Sequence, residues 1–167
     1  MISGEDVDEK ARPAFLSAEL RAHLDKLTDA QVVALVLFGE ARSEPVEGAI
    51  AVANVIRNRV TARRWFGADY REVCLKPWQF SCLSKAGGEE NYERVLAFAN
   101  HMASGAEVRD PFARQSIGVA YCIMHDYFLD NVKHATSYHV ATMLPRPSWA
   151  RDVPPVKQIH GHVFYVV

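Results

Sequence analysis

The sequence predicts a mainly helical α+β fold in a single domain, with a small β-sheet near the C-terminus. The chain has 167 residues, of which 49% are hydrophobic, enough to form one compact core. Apolar residues recur at helical spacing between residues 28 and 129. After residue 135 the pattern changes to two short segments rich in β-branched and aromatic residues, which is typical of strands.

The first strong helix signal begins at Thr28. Thr28 and Gln31 form a capping-box pair, in which each side chain can bond the backbone amide of the other. The run Val32–Leu37 is apolar around most of the helix circumference, so we expect a deeply buried helix. Residues 1–27 are charged and weakly patterned. We interpret them as an N-terminal arm with one helical piece near Ala14–Leu24, ahead of a main domain of residues 28–167.

A second helix is predicted from about Glu47 to Val60, because Pro45 and Gly48 interrupt the chain before it. Its first half is apolar and its second half is polar, so we expect one buried end and one solvated end. Four arginines lie within or just after the polar half, and we interpret them as the solvated end of a helix rather than a basic binding patch. They are Arg57, Arg59, Arg63 and Arg64.

The rest of the chain predicts a long loop, two more helices and two strands. Segment Trp65–Ser84 has few periodic runs and reads as an ordered loop, a kind of segment that is often functional. Helices are predicted at Glu89–Ser104, which Gly105 can end, and within Pro111–Leu129. The strands are predicted at Thr136–Val140 and His162–Val166, joined by a proline-rich loop.

Composition excludes several partners. The chain has 19 basic and 20 acidic residues and a net charge of -1, which gives no global case for binding nucleic acid or an anionic membrane. The N-terminus lacks the basic region and apolar run of a secretory signal. No segment reaches the ~20 apolar residues of a spanning helix. We therefore expect a protein that is made in the cytoplasm and does not insert into membranes. We also expect it to act as a monomer, although these patterns do not fix the oligomeric state.

Glu40 is the residue best placed for acid chemistry. It comes at the end of the apolar helix, where loss of solvent favours the protonated form of a carboxyl group. A general acid needs that form near neutral pH. Glu44 and Glu47 are expected to lie further towards solvent. From spacing alone, a glutamate that merely ends a helix is the more common interpretation of such a residue.

The segment Trp78-Gln79-Phe80-Ser81 combines aromatic rings with an amide and a hydroxyl. An aromatic ring can stack on the C–H face of a sugar while polar groups bind its hydroxyls. The alternative is that Trp78 and Phe80 anchor the loop to the core. The sequence leaves these two interpretations open.

The histidines and cysteines give weaker signals. His160 and His162 would share a face of a strand, but there is no HExxH motif and no clear third ligand, so no metal site and no cofactor are predicted. We interpret the tail histidines as structural or substrate-contacting. Cys74 and Cys82 are close enough in sequence to form a disulfide in an oxidising compartment; buried free thiols are the alternative.

Three blocks of sequence together resemble the SleB-like cell-wall hydrolase family, which includes spore-cortex-lytic enzymes and phage endolysins. The resemblance runs from about Thr28 to the C-terminus. The first block is the run Leu37–Pro45 followed by Glu47–Val60. The second is Val73–Cys82. The third consists of Ala135–His139, Pro147–Ala150 and Gly161–Tyr165.

The resemblance implies a lysozyme-like, lytic-transglycosylase-like domain over residues 28–167. It implies a single catalytic glutamate at Glu40 and cleavage of peptidoglycan between N-acetylmuramic acid and N-acetylglucosamine. It also favours the disulfide between Cys74 and Cys82. Ser137 departs from the family pattern, which often has histidine there, and this leaves the role of His139 open. The residues expected to contact the glycan are Glu44, Trp78, Gln79, Phe80, Ser81, Tyr138, His139 and His162.

Two chemical routes follow from one glutamate. A lytic transglycosylase needs no second carboxylate, and this is the route we favour; a hydrolysing muramidase would need one, with Glu44 and Glu47 as candidates. A zinc-dependent amidase or peptidase, a non-catalytic glycan-binding module and a structural virion component are the rival functions. The absence of a signal suits a bacteriolytic endolysin that reaches the periplasmic peptidoglycan through a phage holin, and it suits equally a chain whose signal has been removed.

Overall fold

The computed structural model describes residues 15–167, which form six α-helices and one three-stranded sheet. The mainly helical α+β prediction is confirmed. The helices are α1 (Ala18–Leu24), α2 (Asp29–Ala41), α3 (Val46–Ala62), α4 (Tyr70–Leu75), α5 (Glu89–Ala103) and α6 (Pro111–Met124). The strands are β1 (Ser137–Val140), β2 (Lys157–Ile159) and β3 (His162–Tyr165). Short 3-10 turns occur at Ser81–Leu83, Lys85–Gly87 and Ser148–Ala150.

Helix α2 is the centre of the core. Its N-terminus forms the predicted capping box: the Thr28 amide donates to Gln31 Oε1 at 2.9 Å and the Gln31 amide donates to Thr28 Oγ1 at 3.2 Å. Residues Val32–Leu37 are each at most 1% exposed. Helices α3, α4, α5 and α6 all pack against α2. The sequence prediction of a helix buried on nearly all sides is therefore confirmed.

The other predicted helices form close to their predicted bounds. Helix α3 extends one residue before and two residues after the predicted Glu47–Val60. Helix α5 ends where expected: Gly105 has φ +71 and its amide donates to the Met102 carbonyl at 3.1 Å. The predicted loop Trp65–Ser84 contains a helix that the sequence analysis missed. Helix α4 has six residues, too few to show periodicity, and Asp69 caps it by accepting from the Glu72 amide at 2.8 Å.

The sheet has the order β1-β3-β2, with both pairings antiparallel. The two predicted strands are β1 and β3, and Tyr138 lies opposite Phe164. Strand β2 was not predicted; it lies in the segment interpreted as a proline-rich loop. The sheet packs on α3, where Ala51 and Val55 form a second apolar cluster with Ile159 and Phe164.

The part of the predicted arm that the structure describes packs into the main core. Phe15, Leu20, Leu24 and Leu27 are all buried there. Arg71, the second residue of α4, holds this segment by donating to the Leu24 and Leu27 carbonyls at 2.7 and 3.1 Å. The predicted boundary at residue 27 thus does not coincide with a packing boundary. Residues 1–14 lie outside the described residues. Between residues 15 and 167, no helix has the length and apolar character needed to cross a bilayer.

Replacing Thr28 by alanine tests the α2 cap. Loss of an N-cap hydroxyl typically costs about 1 kcal/mol. We expect Thr28→Ala to lower the free energy of unfolding by that amount in urea denaturation. Thr61→Ala is the control, because the exposed Thr61 hydroxyl bonds only the Arg57 carbonyl within α3, and we expect a change below about 0.5 kcal/mol. Equal losses in the two variants would contradict the assigned role of the cap.

Candidate active site

Glu40 lies in the last turn of α2, and both of its carboxylate oxygens are held. The Cys82 backbone amide donates to Oε1 at 3.2 Å. The Tyr138 hydroxyl donates to Oε2 at 2.8 Å. The two donors come from the 3-10 turn at Ser81–Leu83 and from β1, segments far apart in sequence. Because hydrogen bonds to a carboxylate are among the stronger ones in proteins, this carboxyl group has a fixed orientation.

Both neighbours of Glu40 remain protonated. Burial, and next the Glu40 carboxylate, raise the pKa of the Tyr138 hydroxyl well above its ordinary value. Burial and then Glu40 likewise raise the pKa of the Cys82 thiol well above its ordinary range. Tyr138 therefore acts as a permanent hydrogen-bond donor to Glu40 rather than as a competing acid.

Polar side chains of α3 position the chain that leads into β1. Three of them donate to backbone carbonyls of one segment: Asn54 to Leu129 at 3.1 Å, Arg57 to Phe128 at 2.7 Å and Asn58 to Ala135 at 3.0 Å. A fourth, Arg59, donates from Nε to the Thr136 carbonyl at 2.7 Å. This row anchors the residues immediately before Tyr138.

The interpretation of these arginines as a solvated helix end is wrong for Arg59. Arg59 is only 6% exposed, and its guanidinium lies over the rings of Phe66 and Phe80 at 5.3 and 5.0 Å. Arg63, in contrast, is an exposed residue that follows the end of α3. Amphipathic spacing could not find Arg59, because the surface that covers it comes from chain segments distant in sequence.

Glu44 lies in a second polar position of the site. Its side chain is 16% exposed, and Oε2 accepts from the Gly161 amide at 3.3 Å. Its Oε1 lies 3.8 Å from Nδ1 of the buried His162. Two glycines make room for it: a Cβ at Gly161 would lie 2.6 Å from Glu44 Oε1, and one at Gly48 would lie 2.8 Å from Glu44 Cβ. These contacts hold Glu44 in a partly buried polar position, whereas Glu47 is exposed.

His162 lies between Glu44 and Tyr138, the residue that bonds Glu40. Its ring meets the Tyr138 ring edge-on, with centroids 5.1 Å apart. Its Nδ1 is buried and has no hydrogen-bond partner among residues 15–167. Burial lowers the pKa of His162. The structure thus brings together four of the predicted site residues: Glu40, Glu44, Tyr138 and His162.

His139 is on the opposite face of the sheet from Tyr138, because neighbouring residues of a strand alternate between faces. It is buried, its Nδ1 is 2.8 Å from the Val140 carbonyl and its Nε2 is 2.9 Å from the Tyr165 hydroxyl. Trp149 packs against both rings. Both ring nitrogens are thus engaged within the sheet and its neighbouring loop. The period-two alternation, which can be read from the sequence, already separates His139 from Tyr138.

The predicted segment Trp78–Ser81 divides between surface and core. Trp78 is 55% exposed, has φ +67 and packs against Phe15 with centroids 5.1 Å apart. Gln79 is half-buried and Ser81 is exposed. Phe80 is buried against Arg59, so it anchors the loop to the core and has no exposed surface that a sugar could contact. Trp78, Gln79 and Ser81 remain predicted glycan contacts.

The predicted disulfide is absent. Cys74 and Cys82 are both buried free thiols, as in the alternative interpretation, and Cys122 is also free. The Cys82 Sγ faces the Val36 carbonyl of α2 at 4.0 Å and would lie 2.6 Å from a Cβ at Gly39. The close packing of this sulfur against α2 fixes it in the helix interface.

The remaining acidic and histidine candidates pair at the surface. Glu47 is exposed and its Oε2 is 3.2 Å from His160 Nε2. Within residues 15–167, no three or more histidine, cysteine, aspartate or glutamate side chains are grouped so that they could hold a metal ion.

Comparison with known proteins shows which family the chain belongs to. Residues 43–165 match the family model described as cell wall hydrolase. The chain belongs to the cell wall hydrolase family. The matched range begins at Ser43 and contains Glu44, Tyr138 and His162, whereas Glu40 lies just before it. Among curated proteins, none matches the chain.

Two solved structures have the same fold as this family member. The catalytic domain of the Bacillus cereus SleB protein is 23% identical, with a TM-score of 0.55, and the alignment covers 93% of this chain and 98% of that one. The catalytic domain of the germination-specific lytic transglycosylase SleB from Bacillus anthracis is 24% identical, with a TM-score of 0.54 and coverage of 92% and 99%. The predicted SleB-like resemblance and fold are confirmed, and the family supports a peptidoglycan-degrading enzyme.

A methyl group at residue 161 should displace the Glu44 carboxylate. We expect Gly161→Ala to lower the free energy of unfolding by about 1 kcal/mol, because the added carbon overlaps Glu44 Oε1 and moves that carboxylate off the Gly161 amide. Gly118→Ala is the matched control. A Cβ there meets nothing within 4 Å, and alanine is favoured in a helix, so stability should rise by about 0.5–1 kcal/mol. Parallel behaviour of the two variants in urea denaturation would refute the predicted overlap.

His162 should make the fold sensitive to mild acid. Since burial lowers its folded-state pKa below the ordinary value, the unfolded chain binds this proton more readily. The stability associated with neutral His162 is therefore present above about pH 6.5 and is lost as the pH falls through the folded-state pKa. We expect His162→Gln to flatten the pH dependence of urea unfolding between about pH 7 and 5. The exposed His134→Gln should leave that slope unchanged.

Proposed function

We propose that this chain cleaves the glycosidic bond between N-acetylmuramic acid and N-acetylglucosamine in peptidoglycan, with Glu40 as the catalytic acid. The observation that carries the proposal is the double anchoring of Glu40. A carboxyl group at the end of a buried helix, with both oxygens fixed by donors at 2.8 and 3.2 Å, is oriented before substrate arrives. Preorganised orientation of this kind is what a general acid requires.

In the proposed reaction, Glu40 donates its proton to the glycosidic oxygen as the bond to the muramic acid C1 breaks. The leaving N-acetylglucosamine end departs as a hydroxyl. The muramic acid 6-hydroxyl then attacks C1, and the Glu40 carboxylate accepts its proton. The product ends in 1,6-anhydromuramic acid, and Glu40 regains its initial protonation state. One carboxyl group therefore suffices, which is the outcome of a lytic transglycosylase.

The other polar groups have supporting roles in this proposal. Tyr138 keeps the Glu40 carboxyl in place throughout, since its hydroxyl remains a donor. Trp78, Gln79 and Ser81 contact the glycan from the loop before Cys82. Peptidoglycan is the substrate, and the chain acts on it as a monomer that requires no cofactor.

Hydrolysis, with Glu44 as the second carboxylate, is the second candidate function. A hydrolysing muramidase needs a second carboxylate at about 5–5.5 Å for retention or about 6.5–9.5 Å for inversion. Glu44 is mostly buried, and His162 lies between it and Tyr138, the residue that holds Glu40. Glu47, in contrast, is 64% exposed and paired with His160, which makes it the weaker choice.

Replacing Glu40 by glutamine should abolish turnover without unfolding the protein. Proton transfer by a positioned group typically contributes 10²–10⁴-fold, so we expect a loss of about that size in soluble muropeptides released from purified sacculi. Glu47→Gln is the matched control, since it removes an exposed carboxylate seven positions further along the chain. Substantial activity in Glu40→Gln would show that another residue is the acid.

Mass spectrometry of the released products separates the two routes. Muropeptides that end in 1,6-anhydromuramic acid, retained in Glu44→Gln, are expected for a transglycosylase. Reducing-end sugars that disappear in Glu44→Gln would assign hydrolysis with Glu44 as the second carboxylate. Free stem peptides would discard a glycosidase altogether and favour an amidase or peptidase.

A further inference from the structure

Arg59 is a buried cation whose charge the fold leaves partly unmatched. Its Nε donates to the Thr136 carbonyl, but its Nη1 is buried and has no hydrogen-bond partner among residues 15–167. Burying an ion is costly, and proteins keep such ions where other groups compensate them. Burial lowers the pKa of Arg59, and Glu40 is among the groups that act against this.

Two aromatic rings contact the Arg59 guanidinium. Phe66 and Phe80 lie 5.3 and 5.0 Å from the guanidinium carbon, within the range of a cation–π interaction. Both rings are at most 1% exposed. A lysine could keep the charge but not the flat contact with two rings or the Nε bond to Thr136.

Arg59 contacts the two segments that bind Glu40, at equivalent positions. It packs on Phe80, and two residues later the Cys82 amide donates to Glu40 Oε1. It bonds the Thr136 carbonyl, and two residues later the Tyr138 hydroxyl donates to Glu40 Oε2. One side chain on α3 therefore sets the separation of the two donors on which the orientation of Glu40 depends.

We propose that Arg59 is the positioning residue of this site, which joins the two segments that hold Glu40 and contributes a buried positive charge. The inference rests on the proposed role of Glu40 in glycan cleavage. In the reaction, Glu40 becomes an anion after it gives up its proton. A buried cation that contacts both of these segments stabilises that anion without contacting the substrate. Tyr138, Cys82 and His162 are the other titratable groups that face Glu40.

The kinetic test compares Arg59→Lys and Arg59→Met with Arg63→Met. Arg63 is the control, since it is an exposed arginine that directly follows the same helix and contacts neither segment that holds Glu40. We expect both Arg59 variants to lose about tenfold or more in kcat on sacculi, because displaced donors misorient the acid. The control should stay within about threefold of wild type.

The pH dependence of activity distinguishes two roles for Arg59. In one, Arg59 positions Glu40 and supplies a charge; in the other, it only packs against its neighbours. Removing a nearby cation makes an acid keep its proton to higher pH, so the alkaline limb of activity should move to higher pH in Arg59→Met. In Arg59→Lys the charge remains, so that limb should stay at the wild-type position while kcat still falls. Wild-type kcat in Arg59→Lys would overturn the positioning role even if Arg59→Met does not fold.

A measurement that does not depend on turnover tests the role of Arg59 even if the proposed function is wrong. The urea midpoints of wild type, Arg59→Lys, Glu40→Gln and the double variant form a double-mutant cycle. We expect the Arg59 substitution to lower the midpoint less in the Glu40→Gln background, where no carboxylate remains to be held. Coupling of this kind in a protein that releases no muropeptides would support Arg59 and reject glycan cleavage. Strictly additive midpoints would overturn the role of Arg59 whatever the activity.

Discussion

Burial of α2 on all sides is the constraint on which the rest of this structure depends. Each fully buried aliphatic side chain contributes about 1.5–3 kcal/mol of gross transfer free energy, and Val32–Leu37 are nearly all of this kind. A helix covered by four others can carry polar groups only at its ends. Its last turn, which carries Glu40, is therefore the place where a carboxyl group can border the core and still be reached from outside.

The geometry at Glu40 is assembled from segments far apart in the chain. Position 40 supplies the carboxyl group, Cys82 and Tyr138 supply the donors, and α3 supplies the polar row that fixes the approach to β1. None of these contacts lies within one element. The site can therefore form only when α2, α3, the loop before α5 and the sheet have all packed, which couples its geometry to complete folding.

The sequence predicted the elements whose signals are local. The capping box at Thr28, the buried run of α2, the apolar stripe of α5 and the two aromatic strands depend on neighbouring residues alone. Helix α4 and strand β2 were missed because six and three residues are too few to show a period. The prediction that Arg59 is solvated was wrong for a different reason. An arginine near the end of a helix is normally exposed, and the segments that bury Arg59 cannot be identified from the neighbouring sequence.

By itself, the sequence determined the mainly helical fold, the buried central helix and Glu40 as the carboxyl group at its end, because periodicity and capping act over a few residues. It also carried the family resemblance that the comparisons confirm. Only the tertiary structure decided that Tyr138 rather than His139 faces Glu40, that Glu44 fits between two glycines, and that Cys74 and Cys82 remain free thiols. Those outcomes depend on which surfaces meet across the core, and that information is distributed over the whole chain.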